Sequence, residues 1–176
     1  VRGFVVRQKL FGVVLPPSVS EDDRVIDILK AADCPYVRIA SVSLDKPECM
    51  VVTHDSRGAA GAARHLAEIG HTRIAFISGP DSFRSSHERG RGFCEGLAEH
   101  GLSLDPAYVR KGAYTFESGA AAASSLLALP EPPTAIFAGN DEMAIGVMKA
   151  ARDAGLDVPG DLSIVGFDDL PMASRV

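Results

Sequence analysis

The chain has 176 residues, 46% hydrophobic and 23% charged, with a formal net charge of −5 at pH 7. That length supports one full core, is short for two complete α/β domains, and comes with an ordinary globular composition. The acidic balance argues against this segment holding nucleic acid by itself, because such binding rests mainly on neutralising phosphates. No apolar run approaches the ~20 residues that a bilayer span requires, so no membrane partner is expected. Val1-Arg-Gly-Phe-Val-Val6 lacks the long apolar core of an export signal. Cys34, Cys49 and Cys94 are odd in number and widely spaced, which suits free thiols in a reducing compartment. The expected location is the cytoplasm.

In chain order, strands alternate with helices. Residues 10–15 read as a strand stopped by Pro16-Pro17. Ser20, with Asp23 three residues on, reads as the N-cap of a helix whose inward face is Val25, Ile28, Leu29 and Ala32. Residues 36–40 and 50–53 are short strands around a polar loop that contains Lys46-Pro47. A helix over 57–69 buries Ala59, Ala62, Ala63, Leu66 and Ile69, with Gly70 placed to terminate it. Residues 72–78 form a strand, 86–101 a helix facing inward through Gly90, Phe93, Leu97 and Ala98, and 108–113 a further strand. Thr115 caps a helix that buries Gly119, Ala122, Ala123, Leu126 and Leu127, and Pro130, Pro132 and Pro133 then break the chain.

The last stretch carries the most information. Residues 135–139 are an apolar strand that runs into Asn140-Asp141-Glu142 and an amphipathic helix. After Val158-Pro-Gly-Asp161 comes a second apolar strand, ending in Phe167-Asp168-Asp169. From residue 50 onward the order is strand then helix, four times, with a closing strand, which predicts βαβ crossovers and a parallel α/β sheet. Residues 1–54 supply part of another α/β unit, and pattern alone sets a boundary at His54-Asp55. In a parallel sheet, ligands sit outside the carboxyl ends of the strands. Asn140 and Asp168 fall there, although Asn140 also suits a helix N-cap and Asp168 a turn. Arg89 falls in the first turn of its predicted helix, where a cation opposes the helix dipole and so points to an anionic or hydroxyl-rich partner. On the helix after Asn140, the core stripe is best filled by Ala144, Val147, Met148 and Ala151, leaving Ile145 off the core as a candidate subunit contact.

Other chemistries fit less well. Gly90-Arg-Gly92 with Gly96 lies inside a helical pattern rather than between a strand and a helix, so a phosphate-cradling loop lacks its context. The five histidines show no metal-ligand pairing, and no nucleophile elbow exists. Asp141, Asp168 and Asp169 could hold Mg²⁺ for phosphoryl transfer, which makes a metal-dependent phosphotransfer enzyme the weaker alternative. No catalytic residue, resident metal or cofactor is expected.

A family resemblance runs through these residues. His65-Leu-Ala-Glu-Ile-Gly-His-Thr-Arg-Ile-Ala-Phe-Ile-Ser-Gly-Pro80 resembles a signature of LacI/GalR-type transcription regulators. Glu88-Arg-Gly-Arg-Gly-Phe93, Pro133-Thr-Ala-Ile-Phe-Ala-Gly-Asn-Asp-Glu-Met-Ala-Ile-Gly146 and Val158-Pro-Gly-Asp-Leu-Ser-Ile-Val-Gly-Phe-Asp-Asp169 follow in the same order. The sequence departs at His87, where members often carry Arg, and at Gly90-Arg91, in place of a usual Leu-Ala pair. The resemblance implies a type I periplasmic-binding-protein-like fold. Its two Rossmann-like subdomains would flank a ligand cleft, with residues 1–54 part of the N-terminal one and 55–176 the C-terminal one. It also implies a small-molecule effector such as a sugar, held by Arg89, Asn140 and Asp168, and a homodimer whose interface includes Ile145. Operator DNA would be bound by a helix-turn-helix domain that this chain lacks, the chain being a fragment of the sensor portion. An exported sugar-binding protein of the same fold is the alternative within that resemblance.

Overall fold

Parallel strand pairing organises both halves of the molecule. The computed structural model describes residues 3, 5, 7, 10–20, 22–39 and 49–176. The chain separates into two compact units, Val1–His54 and Asp55–Val176. In the first, β1 (Val13–Leu15), β2 (Tyr36–Ile39) and β3 (Met50–Val51) pair in parallel in the order β1-β2-β3. Helices α1 (Pro17–Ser20) and α2 (Asp23–Ala31) connect β1 to β2. Ile26 and Leu29 of α2 are buried with Leu15, Cys34 and Tyr36. The cap of α2 is Asp22, whose carboxylate accepts from the Arg24 amide at 3.0 Å, and not Ser20. Pro17 opens a short helix of its own, a position where its missing N–H costs nothing, so Ser20 belongs to that preceding turn. Ala40 and the loop containing Lys46-Pro47 lie outside the described residues.

The second unit is a three-layer sandwich. Its helices are α3 (Asp55–Glu68), α4 (Arg84–Ala98), α5 (Phe116–Leu127) and α6 (Asp141–Asp153). They alternate with β4 (Ile74–Ser78), β5 (Val109–Lys111), β6 (Ala135–Ala138) and β7 (Ser163–Val165). All strand pairs are parallel, in the order β5-β4-β6-β7. Strand alternation divides the core in two. Ile74, Phe76, Ala135 and Phe137 face α3 and α4, whereas Ala75, Ile77, Ile136 and Ala138 face α5 and α6. Phe76, Phe93 and Phe137 stack with centroids 4.7–5.5 Å apart.

The glycines of α4 are packing devices. A Cβ on Gly92 would overlap the Ser56 backbone, and one on Gly96 would lie 2.5 Å from the Ala60 carbonyl oxygen. These glycines therefore let α3 and α4 approach closely. On α6 the expected stripe shifts. Met143 and Ala150 are buried with Ala144, Val147 and Ala151, while Met148 is only half-buried. The long Met143 side chain fills the space that Gly112 leaves beside β5, whereas Met148 lines a concavity with Ile145 and Arg152. The expected caps at Gly70 (φ +94°) and Thr115, the latter a capping box with Ser118, are present.

At the amino end of the sheet, His71 joins three segments. Its ring nitrogens lie 2.9 Å from Thr134 Oγ1, just before β6, and 2.9 Å from Ser163 Oγ, at the start of β7. Burial, helped by repulsion from His65, lowers its pKa below the ordinary 6.5. The unfolded chain therefore takes up the proton first as pH falls. The stability that neutral His71 contributes is complete above the ordinary value and is lost as pH falls through the folded one. The urea midpoint should drop as pH falls below the ordinary value of 6.5. His71→Gln should be less stable at neutral pH but should lose less over that fall. Parallel titration curves for the two proteins would remove His71 as the cause.

Candidate functional site

The strand order creates a switch point. The connection leaving β4 runs to β5, whereas the one leaving β6 runs the opposite way to β7, so a crevice opens outside the carboxyl ends of β4 and β6. Arg89 enters this place from α4. Because α4 begins at Arg84, Arg89 occupies the second turn rather than the first, and the dipole argument loses most of its force, since that field fades within one turn. What holds the cation is a set of specific partners. Its Nε donates to Asp55 Oδ1 at 2.7 Å, Nη1 to the Gly139 carbonyl at 2.5 Å, and Nη2 lies 2.9 Å from Asp168 Oδ1. The guanidinium carbon sits 3.9 Å from the Phe167 ring centroid and 5.9 Å from that of Tyr114, a cation–π arrangement. Phe167 in turn meets Phe137 edge-on, so the aromatic core continues to the underside of the charge.

Asn140 both caps and braces. Its Oδ1 accepts from the Met143 amide at 3.0 Å, and its Nδ2 donates to the Tyr114 carbonyl at 3.2 Å. Tyr114 is a site residue that the sequence reading passed over. It has a left-handed φ of +61°, and its hydroxyl lies 3.1 and 2.8 Å from the hydroxyls of Ser85 and Ser86. Its available signal was position: an aromatic residue directly before the helix cap Thr115, at the carboxyl end of β5.

Asp168 and Asp169 both have positive φ, +109° and +58°, a region that costs energy for any residue with a Cβ. The Asp168 side chain is 32% exposed, which makes it the most accessible of the three expected effector ligands. Burial raises its carboxyl above the usual range against the opposing pull of Arg89, and the like charges of Asp141 and Asp55 add to the rise. Arg89 and Asp168 thus form a direct ion pair. Asp141 turns elsewhere, accepting from the Leu170 amide at 2.7 Å. Among the described residues, no group of three or more His, Cys, Asp or Glu could hold a metal ion. The arrangement offers carboxylate acceptors, residual guanidinium donors and aromatic faces, which suits hydrogen bonding to hydroxyls or amides.

Ile145 lies on the other side of α6. It is half-buried and lines a concavity of about 320 Å³ with Phe116, Met148, Arg152, Arg175 and Val176. None of the described helices is long and apolar enough to cross a membrane.

Residues 63–176 match the periplasmic binding protein-like domain family. The probable HTH-type transcriptional repressor ExuR of Bacillus subtilis is 37% identical over 165 residues, covering 94% of this chain and 50% of ExuR. The chain thus spans about half the length of that curated relative. A LacI-family regulatory protein from Chloroflexus aggregans has a TM-score of 0.89 at 34% identity, covering 99% of this chain and 63% of its own. The complex of the transcriptional regulator CelR with cellobiose has a TM-score of 0.84 at 35% identity, covering 96% and 52%. These relatives are transcription regulators. The family match over most of the second unit, together with likeness to LacI-family regulators along nearly all the chain, makes this protein a member of the periplasmic binding protein-like domain family, of the LacI/GalR effector-binding type.

Proposed function

We propose that the chain is the effector-binding and dimerisation module of a cytoplasmic DNA-binding repressor, which senses a small molecule such as a sugar. The observation that carries this reading is Asp168: a partly exposed carboxylate at the switch point, braced by Arg89 and backed by aromatic rings. Such a group can accept hydrogen bonds from two ligand hydroxyls. The binding of cellobiose by CelR, a neighbour in fold, supports a sugar as the class of effector. Arg89 and Asn140 act in this reading mainly as braces, holding Asp168 and Tyr114 toward the ligand. Operator DNA would be engaged by a helix-turn-helix domain outside these 176 residues, as in the HTH-type relatives. Thermal-shift screening of sugars, sugar phosphates and nucleobases against the complete sensor domain tests the proposal. A saturable hit that weakens on substitution of Asp168 supports it, and a hit indifferent to Asp168, Arg89 and Asn140 moves the site elsewhere.

Dimerisation is the second half of the proposal. A concavity lined by the apolar Ile145, Phe116, Met148 and Val176 together with Lys149, Arg152 and Arg175 offers the mix of apolar and polar groups that a subunit contact uses. Ile145→Lys in the full-length protein is expected to weaken dimerisation and operator binding together, because a two-fold interface meets the new charge twice. Sedimentation and operator titration read both effects, and no change in either would exclude Ile145 from the interface.

A further inference from the structure

We infer that Asp141 is a positioning residue for Asp168. This inference rests on the reading of Asp168 as an effector ligand, but its own basis is the turn that carries that residue. Asp141 touches the turn at both ends. Its amide donates to the Phe167 carbonyl at 2.9 Å, and its carboxylate Oδ2 accepts from the Leu170 amide at 2.7 Å. Between those two anchors lie Asp168 and Asp169, both at positive φ. Two consecutive left-handed residues that are not glycine persist only where the surroundings over-determine them.

A second observation is independent of these hydrogen bonds. Gly166 ends the strand beneath the carboxylate, and a Cβ there would overlap Asp141 Oδ1 and lie 3.2 Å from Ala144 Cβ. The glycine leaves the space that the carboxylate occupies on its way to Leu170. Asp141 is also spared the usual task of an acidic residue at a helix start, since Asn140 caps α6. It is 7% exposed, and both its amide and its carboxylate bond to the turn. Asp168 consequently reaches Arg89 from a backbone that Asp141 holds in place.

The test needs no effector and uses the 176-residue chain, whose 18.5 kDa suits backbone and arginine side-chain NMR. Three variants separate positioning from mere packing. Asp141→Ala removes the acceptor, Asp141→Asn keeps an oxygen at the same reach without the charge, and Gly166→Ala crowds the carboxylate while leaving it in the chain. Asp141→Ala and Gly166→Ala are expected to shift the amide signals of residues 167–170 and the Arg89 Nε–H signal. They should also speed hydrogen exchange at the Leu170 amide about tenfold or more, the factor that follows from losing roughly 1.4 kcal/mol of local protection. Asp141→Asn should restore most of the wild-type pattern. Unchanged turn signals in a folded Asp141→Ala, or an Asp141→Asn protein as disturbed as the alanine variant, overturns the inference. If Asp141→Ala does not fold, Gly166→Ala and Asp141→Asn decide it by the same criteria. Failure here leaves the effector site open, because that reading stands or falls on ligand affinity in Asp168→Ala.

Discussion

Arg89→Met is expected to destabilise the second unit by about 3–5 kcal/mol, the cost of removing one partner from a buried ion pair. Asp55, only 6% exposed, pairs with the Arg89 Nε at 2.7 Å. Methionine fills much of the arginine's volume but takes the Nε donor from the Asp55 carboxylate, the Nη1 donor from the Gly139 carbonyl, and the cation from the Phe167 ring. The penalty comes mostly from what is left behind, not from the attraction lost. The double substitution Arg89→Met with Asp55→Leu should therefore recover part of the stability, since it removes the buried charge that lost its arginine. Urea denaturation of the single and double variants checks both statements. A single variant within about 1 kcal/mol of wild type would mean that the pair is effectively solvated, as exposed pairs are.

Asp168→Ala is expected to act on function rather than on folding. Its pairing with Arg89 is partly solvated, at 32% side-chain exposure, so its loss should cost no more than about 1 kcal/mol of stability. Ligand groups left unpaired on its removal cost roughly 1–3 kcal/mol, which is about a tenfold to hundredfold loss of effector affinity. In the complete regulator, Asp168→Ala should abolish the effector response while dimer and operator binding persist. Asp169→Ala should affect the response less, because Asp169 has no ion pair with Arg89 and begins the onward turn. Calorimetry with the identified effector checks this, and equal affinities for wild type and Asp168→Ala would remove Asp168 from the site.

Much of this architecture was legible because it is local. The apolar runs at 74–78 and 135–138 had to be strands buried on both faces, and Gly70, Thr115 and Asn140 mark their helix ends by the chemistry of capping. Other features were lost to neighbours distant in sequence. Ser20 yielded the cap of α2 to Asp22 because Pro17 starts its own turn. Met143, not Met148, entered the core, where Gly112 on another segment leaves room for its long side chain. Arg89 was singled out for an unfavourable helix position, yet its actual setting is two carboxylates, a carbonyl and an aromatic face drawn from three other segments.

The sequence by itself determined the α/β class, the element order and the motifs that place the chain in its family. Periodicity and capping act within a few residues, so they can be read without a fold. Only the tertiary structure decided that Arg89 and Asp168 are partners, that Asn140 braces Tyr114, and that Asp141 clamps the turn from Phe167 to Leu170. Those contacts join residues 26 to 79 positions apart, and their geometry follows from the order in which the parallel strands are laid down, which no local pattern encodes.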